Sequence, residues 1–271
     1  MTPIGSSQSM LYRLNYLWRV FATGLSFTTF GLGGLCLSLF VFPVIKVFNP
    51  DPDIRKRKAR FLIHRSWRFF ISFMQSLGIF TFDLETARQQ LQEVEGKVII
   101  ANHPTLIDVV ALISLIPKAD CVVKQGLWNN FFLKRVVRVA DFINNDQDVN
   151  KLIENCKKSL EEGYNLVIFP EGTRTVPNQP IKLQRGAANI AVRCQQNLLP
   201  VIIDCNPTTL TKQEKWYQIP SRRAQFSMRV IEEIDVTPFI NNDKNESIAA
   251  RRLTEHIKTV FTEELSKNET Y

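Results

Sequence analysis

The chain is poor in the residues from which metal and nucleotide sites are usually built. It has 3 histidines in 271 residues, His64, His103 and His256, and no two are close enough for an HExxH pair. Its 5 cysteines, Cys36, Cys121, Cys156, Cys194 and Cys205, are scattered, odd in number and without a CxxC. That spacing implies reduced thiols in a cytosolic setting rather than a zinc or disulfide framework. The 11 glycines form neither a GxGxxG nor a GxxxxGK[S/T] loop, so no nucleotide cradle is implied. No metal or nucleotide cofactor is therefore expected. Repeats and low-complexity segments are absent too. Acidic residues are scarce at one end only: residues 1–80 carry 10 Lys+Arg against 2 Asp+Glu, and the rest of the chain carries 24 of each. The whole excess of +8 sits in the N-terminal third.

Charge is missing altogether from Val20 to Ile45. At about 1.5 Å per residue, a helix of these 26 residues exceeds a hydrocarbon core of about 30 Å. An apolar run flanked by basic residues points to a membrane and not to nucleic acid. Two arrangements fit it. As a single span it has Arg13 and Arg19 before it and Lys46, Arg55, Lys56, Arg57, Lys58, Arg60, Arg65 and Arg68 after it, so the positive-inside rule leaves the body in the cytoplasm. As a re-entrant hairpin broken near Gly31, Gly33 and Gly34, it keeps both flanks on one face. A cleaved signal peptide fits less well, because the run is longer than an h-region and no small-x-small site closes it. The basic stretch Arg55–Arg60 reads as solvated and placed to meet anionic head groups, at about 1 kcal/mol per residue. The stretch from Trp67 to Phe82 is either an interfacial element or a helix of the body. The chain thus divides into an N-terminal anchoring region, 1–80 (apolar 20–45, basic 46–68), and a body, 81–271.

The body alternates strand and helix patterns. Lys97–Ala101, Cys121–Val123, Asn165–Phe169, Pro200–Ile203 and Phe226–Ile231 read as strands. Val109–Ile113, Val149–Glu162 (closed by Gly163), Gln184–Gln196 and Ser247–Leu265 read as helices. Alternation of this kind predicts an α/β fold, a mostly parallel sheet flanked by helices.

Two segments lie where strands end. After Lys97–Ala101 comes Asn102-His103-Pro104-Thr105-Leu106-Ile107-Asp108. Five positions apart in a continuous helix, two side chains would sit about 140° apart, a poor geometry for a hydrogen bond. With His103 outside the helix, Pro104 at its first position and Asp108 a turn inside, the carboxylate can lean back to the imidazole. His103 is then a general base, and Asp108 fixes its tautomer. A lone His-x4-Asp pair is weak evidence. After Asn165–Phe169 comes Pro170-Glu171-Gly172-Thr173-Arg174, where Gly172 allows close backbone approach and Arg174 offers a fork for phosphate. An Arg174–Glu171 pair bracing the turn is the structural alternative. Ligands of open α/β sheets collect at strand C-terminal ends, so both segments can share one crevice. His64 and His256 read as solvated, which leaves His103 without a rival.

These segments resemble the lysophospholipid acyltransferase family, typified by bacterial 1-acylglycerol-3-phosphate O-acyltransferases. The family's NHxSxxD is matched by Asn102 to Asp108 with Thr105 at the serine position, and its FPEGTR is matched in full by Phe169 to Arg174. A downstream basic-Gly-Ala is matched by Arg185-Gly186-Ala187, and a hydrophobic-Pro-Val by Leu199-Pro200-Val201. The resemblance runs from about Gly96 to Ile231. It implies transfer of an acyl group from acyl-CoA or acyl-carrier protein to a lysolipid hydroxyl, with no covalent enzyme intermediate. A backbone N–H near His103 or Gly172 would steady the oxyanion. Asn102, Thr105, Lys124, Glu171, Gly172, Thr173, Arg174 and Arg185 would bind substrate. A monotopic anchor and a place on the cytoplasmic face of a bacterial inner membrane also follow from the resemblance. One departure stands out: the family's Gly-x-Ile-x-Ile-Asp-Arg between the main motifs reads Ala140-Asp141-Phe142-Ile143-Asn144-Asn145-Asp146 here, without the arginine. Lys134, Arg135 or Arg138 could replace it. A lyso-ornithine lipid or a polyene-type lipid therefore stands beside 1-acylglycerol 3-phosphate as acceptor, and a non-catalytic lipid-binding protein is the remaining alternative.

Overall fold

All four residues of Val98–Ala101 are apolar and buried, as expected of a strand covered on both faces. The computed structural model describes residues 6–123, 126, 134–146, 148–177, 179–242 and 245–267. Among these, β1 (Phe80–Asp83), β2 (Val98–Ala101), β3 (Ala119–Val123), β4 (Ile143–Asn144), β5 (Asn165–Ile168), β6 (Leu198–Asn206) and β7 (Ala224–Val230) form one sheet in the order β1-β7-β6-β2-β5-β3-β4. Neighbours are parallel except β6 and β7. The mostly parallel α/β sheet expected from the sequence is the fold observed. Val98 stands opposite both Leu166 and Leu198, so the chain leaves β5, β2 and β6 at one edge of the sheet.

Ten helices accompany the sheet among the described residues: α1 (Ser6–Cys36), α2 (Phe42–Phe48), α3 (Pro52–Ser76), α4 (Glu85–Leu91), α5 (Asp108–Ile113), α6 (Lys134–Val139), α7 (Val149–Glu161), α8 (Gly186–Cys194), α9 (Thr237–Asn242) and α10 (Glu246–Ser266). Alternate residues of β2 feed two cores. Ile99 and Ala101 join Ile63 of α3 and Leu112 of α5, whereas Val98 and Ile100 join Ile190 of α8 and Phe261 of α10.

The apolar N-terminal segment is one long helical rod. α1 runs unbroken through Gly31, Gly33 and Gly34, a π-helical turn spans Leu37–Val41, and α2 follows. The break expected near the glycines is absent. Three glycines cost a helix about 1 kcal/mol each, and packing offsets that, with the Phe30 ring tilted against that of Phe70 in α3, centroids 5.1 Å apart. Reversal comes instead after Phe48, where Pro50 and Pro52 lack N–H donors and Asp51 caps α3 by accepting from the N–H groups of Asp53 and Ile54. One side of α1 lies against the body: Arg19, Ala22, Thr23 and Ser26 are buried, and the Trp18 indole donates to the Leu77 carbonyl at 3.0 Å. The other side shows Leu11, Leu14, Leu17, Phe21, Leu32 and Phe40 to the outside. The stretch Met10–Phe48, 39 residues, is long and apolar enough to cross a membrane.

Three expectations for the N-terminal third change. Trp67 to Phe82 is not one element: α3 continues to Ser76, and Phe80–Asp83 is the parallel edge partner of β7. His64 is buried, not solvated, with Nδ1 3.0 Å from the Ile113 carbonyl at the end of α5. The basic stretch is not wholly solvated either. Arg60 is buried, its Nη2 2.7 Å from Asp120 Oδ2 and its Nε donating to the Ala140 carbonyl at 2.8 Å. Ser159 completes the cluster by donating to the same Asp120 Oδ2, 2.6 Å away. A buried guanidinium needs such a set of acceptors to offset its lost hydration.

Candidate active site

The loop leaving β2 is pinned before it reaches His103. Asn102 is buried, and its side chain pairs with the backbone of Ile203 in β6, donating to the carbonyl at 2.8 Å and accepting from the N–H at 2.7 Å. Asn102 thus extends the β2–β6 ladder by one side-chain rung. Its amide does for the strand end what a backbone pair would do.

His103 follows with 17% of its side chain exposed, and its Nδ1 lies 2.7 Å from Oδ2 of the fully buried Asp108. Helix α5 begins only at Asp108, four residues later than Pro104 suggested, so the carboxylate reaches back across a turn and not along a helix. The same carboxylate holds that turn. Oδ2 also accepts from the Thr105 N–H at 2.7 Å, and Oδ1 accepts from the Thr105 hydroxyl. Burial pushes the Asp108 carboxyl above its ordinary range, and the bonds from His103 and Thr105 pull it back. With Nδ1 engaged, Nε2 is the nitrogen left to handle a substrate proton.

Phe169 to Arg174, leaving β5, closes over this loop. The Phe169 ring sits 4.6 Å from the His103 ring. Glu171 is buried, and its Oε1 accepts from the His103 N–H at 2.9 Å and from the Thr175 hydroxyl at 2.7 Å. Thr175 in turn donates its N–H to the His103 carbonyl at 2.7 Å. Glu171 therefore holds the histidine backbone, a task that sequence spacing did not reveal because its partner is 68 positions away. Burial raises its carboxyl above the usual range, and the Thr175 hydroxyl opposes that. Gly172 has a φ of 64°, in the left-handed region that favours glycine, and its N–H donates to the Phe169 carbonyl. Of the backbone donors near His103 and Gly172 expected to steady an oxyanion, the N–H groups of these two residues themselves are engaged.

Arg174 does not pair with Glu171. Its Nη1 donates to the carbonyls of Leu210 at 2.9 Å and Thr211 at 2.7 Å in the β6–β7 loop, which leaves Nη2 and Nε for a ligand. The Leu210 carbonyl also takes the N–H of Leu106 at 3.1 Å, so this loop braces both motifs. Thr173 is exposed beside them, and Arg185 is exposed at the start of α8. Lys124 lies outside the described residues, while Arg138 is exposed on α6. An open groove of about 880 Å³ runs from Leu106 and Arg174 along α1, lined by Phe21, Gly24, Leu32 and Trp216 among others. Arg174 and Glu214 are its charged lining, one of each sign, and most of the rest is hydrocarbon.

A family model described as Acyltransferase matches residues 69–204, half of the chain and the part that carries both motifs. The chain belongs to the acyltransferase family. Among its relatives, the Helicobacter pylori 1-acyl-sn-glycerol-3-phosphate acyltransferase is 30% identical over 114 residues, 40% of this chain and 48% of that protein. The human 1-acyl-sn-glycerol-3-phosphate acyltransferase beta is 26% identical over 159 residues, 55% of each chain. The chain spans about half the length of these curated relatives. Similarity of fold extends further: the crystal structure of the 1-acyl-sn-glycerophosphate acyltransferase PlsC from Thermotoga maritima superposes with a TM-score of 0.60 at 16% identity, over 93% of this chain and 97% of that one. In this chain the histidine and aspartate stand side by side, and the apolar helical rod forms one wall of the groove that starts at Leu106 and Arg174.

Proposed function

We propose that the protein is a membrane-associated O-acyltransferase that moves a fatty acyl group from a thioester, acyl-CoA or acyl-carrier protein, to the free hydroxyl of a lysophospholipid such as 1-acylglycerol 3-phosphate. The observation that carries this reading is the His103–Asp108 pair in the same loop as Leu106, which with Arg174 lines a groove that is apolar along α1. His103 Nε2 takes the hydroxyl proton as the oxygen attacks the thioester carbonyl. A C–O bond forms, the C–S bond breaks, and the imidazolium returns the proton to the leaving thiolate. Asp108 holds the tautomer and offsets the imidazolium charge. With the His103 and Gly172 N–H groups engaged, the oxyanion donors this reading needs are the N–H groups of Thr173 and Arg174. The thioester is the sole co-substrate, and the chemistry calls for no metal or prosthetic group.

The shape of the rod favours a monotopic attachment over an upright span. Met10–Phe48 as a helix is about 58 Å long, nearly twice a hydrocarbon core, and its Arg19 face is committed to the body. Lying in one leaflet, it keeps the body on a single side, the cytoplasmic face of a bacterial inner membrane. Membrane lipids are then both surroundings and acceptors.

The acceptor head group is tested by thioester consumption with a side-by-side panel. Arg174 supports an anionic head group, and the expected result is acylation of lysophosphatidic acid, with Arg174→Gln raising its apparent KM far more than that of a phosphate-free lysolipid. Acylation of lyso-ornithine lipid without lysophosphatidic acid would replace the acceptor and keep the reaction. Lipid binding with no thioester consumption by any pairing would leave only the binding protein.

A further inference from the structure

A buried arginine in an apolar helix needs a reason. Arg19 is 3% exposed, and among the described residues it forms no ion pair with a carboxylate. Its guanidinium is satisfied by neutral acceptors: Nε donates to the Asn15 side chain at 3.0 Å, Nη1 to the Pro220 carbonyl at 3.1 Å and Nη2 to the Ser221 carbonyl at 2.7 Å. Pro220 and Ser221 belong to the 207–223 loop, the same loop whose Leu210 and Thr211 carbonyls hold Arg174 and whose Leu210 carbonyl holds Leu106. Between these two ends the loop is knitted to itself and to α1. Glu214 accepts from the Thr211 N–H at 2.9 Å, Gln218 accepts from the Lys215 N–H at 2.7 Å, and the Trp216 ring lies where a side chain on Gly24 would touch it. A charged side chain placed in the apolar rod thus ends on the strap that braces Arg174 at the polar end of the groove.

We infer that Arg19 is a positioning residue: it clamps the 207–223 loop to the anchor helix, and through that loop it fixes the carbonyls that aim Arg174 and hold Leu106. The chain of contacts is continuous from α1 to the site. Arg19 fixes one end of the loop, the seat of Trp216 on Gly24 fixes the middle, and Leu210 and Thr211 present the other end to Arg174. A rod that moves relative to the body carries the strap with it, so the rod's seat on the body and the aim of Arg174 are one mechanical unit. The consequence for turnover rests on the acyl-transfer reading, but the clamp itself does not.

The test uses the full-length protein in detergent micelles, with Arg19→Gln and Arg19→Lys. Hydrogen exchange reads the clamp without any reaction. In Arg19→Gln the amides of 207–223 and of Leu106 should exchange at least tenfold faster than in wild type, while those of β2 and β5 stay unchanged, and Arg19→Lys, which can keep one carbonyl, should fall between. Kinetics read the aim of Arg174: Arg19→Gln should raise the apparent KM for lysophosphatidic acid about fivefold or more with a small change in kcat. That rise should vanish in an Arg174→Gln background, because two residues acting through one contact are not additive. Unchanged exchange at Leu106 and 207–223 overturns the clamp. So does a KM effect that simply multiplies with that of Arg174→Gln, or a uniform speeding of exchange over the whole sheet, which would mark Arg19 as a general stabiliser. Faster exchange confined to the strap in a protein that consumes no thioester would retain the clamp and remove the acyltransferase reading.

Discussion

Replacing Asp108 by asparagine discriminates between two ways in which a carboxylate can support a histidine. Where the amide turns its NH2 toward the imidazole, the wrong tautomer results and turnover falls about 10⁴-fold. Here the surroundings oppose that rotation. The oxygen facing His103 Nδ1 also faces the Thr105 N–H, which can only donate, whereas the other oxygen faces the Thr105 hydroxyl, which can donate or accept. An asparagine therefore settles with its oxygen toward His103 and its NH2 toward the hydroxyl, and the tautomer survives. What is lost is the negative charge beneath the imidazolium. The loss is the difference between a charge-assisted and a neutral hydrogen bond plus the buried charge interaction, about 2 to 4 kcal/mol, or roughly 30- to 1,000-fold in turnover. Asp108→Ala, which removes every acceptor from the Thr105 and His103 donors, should be worse by a further factor of about 10 or more. Stability should move the other way. Because burial raises the Asp108 carboxyl, the folded state holds the ionised form at a penalty that is present at pH 7 and is relieved as pH falls through the raised value. Asp108→Asn should then melt at the same or a higher temperature than wild type at pH 7, with the gap closing in acid. Thiol release from acyl-CoA, ¹⁵N shifts of the His103 ring and melting curves against pH form the assay. An asparagine variant as inactive as the alanine one, with the proton on Nε2, would refute the reasoning.

Other outcomes follow from the same geometry. His103→Ala should lower turnover by about 10² to 10⁴ and leave sedimentation with membranes unchanged, and a near-wild-type rate in the purified variant would remove it from the chemistry. Washing membranes with concentrated salt should not release the protein, because burial of the rod in hydrocarbon is not screened by ions; quantitative release would exclude insertion. Asp120→Leu leaves Arg60 buried without its carboxylate and should destabilise the fold by about 3 to 5 kcal/mol in denaturant melts. A double replacement that also makes Arg60 apolar should recover most of that loss, and failure to recover would show that the pair itself, not the orphaned charge, is what matters.

The sequence shows most clearly what is local. β2 and β5 are apolar runs that end at named motifs and β6 is one that carries Leu199-Pro200-Val201, and their parallel pairing follows from the alternation of strand and helix. Asp108 beside His103 was legible for the same reason, five residues of chain being short enough to constrain the pair. The start of α5 was misplaced because Pro104 is equally at home in the turn that Asp108 itself organises. Partners far apart in the chain left no signal. Arg60 and Asp120 are 60 positions apart, and nothing local separates Arg60 from the solvated cations around it. Glu171 and Arg174 look alike as polar residues of one motif, yet one holds the His103 backbone and the other a distant loop. β1 and β4 were missed because a four-residue and a two-residue edge strand carry too little pattern, and the aromatic Phe80–Asp83 suits an interface as well as it suits a sheet.

The groove beside His103 has α1 as a wall, and α1 is also the element that shows much of its apolar surface to the outside. With α1 resting in a leaflet, an acceptor arrives by lateral diffusion and its product leaves the same way, without either chain passing through water. The concentration that governs the rate is then two-dimensional. Diluting the lysolipid with inert lipid at constant bulk concentration slows an enzyme of this build, and adding more vesicles of fixed composition does not speed it once all of the protein is bound. Under the proposed reaction a water-soluble thioester obeys ordinary bulk kinetics, so the two substrates would be counted in different units.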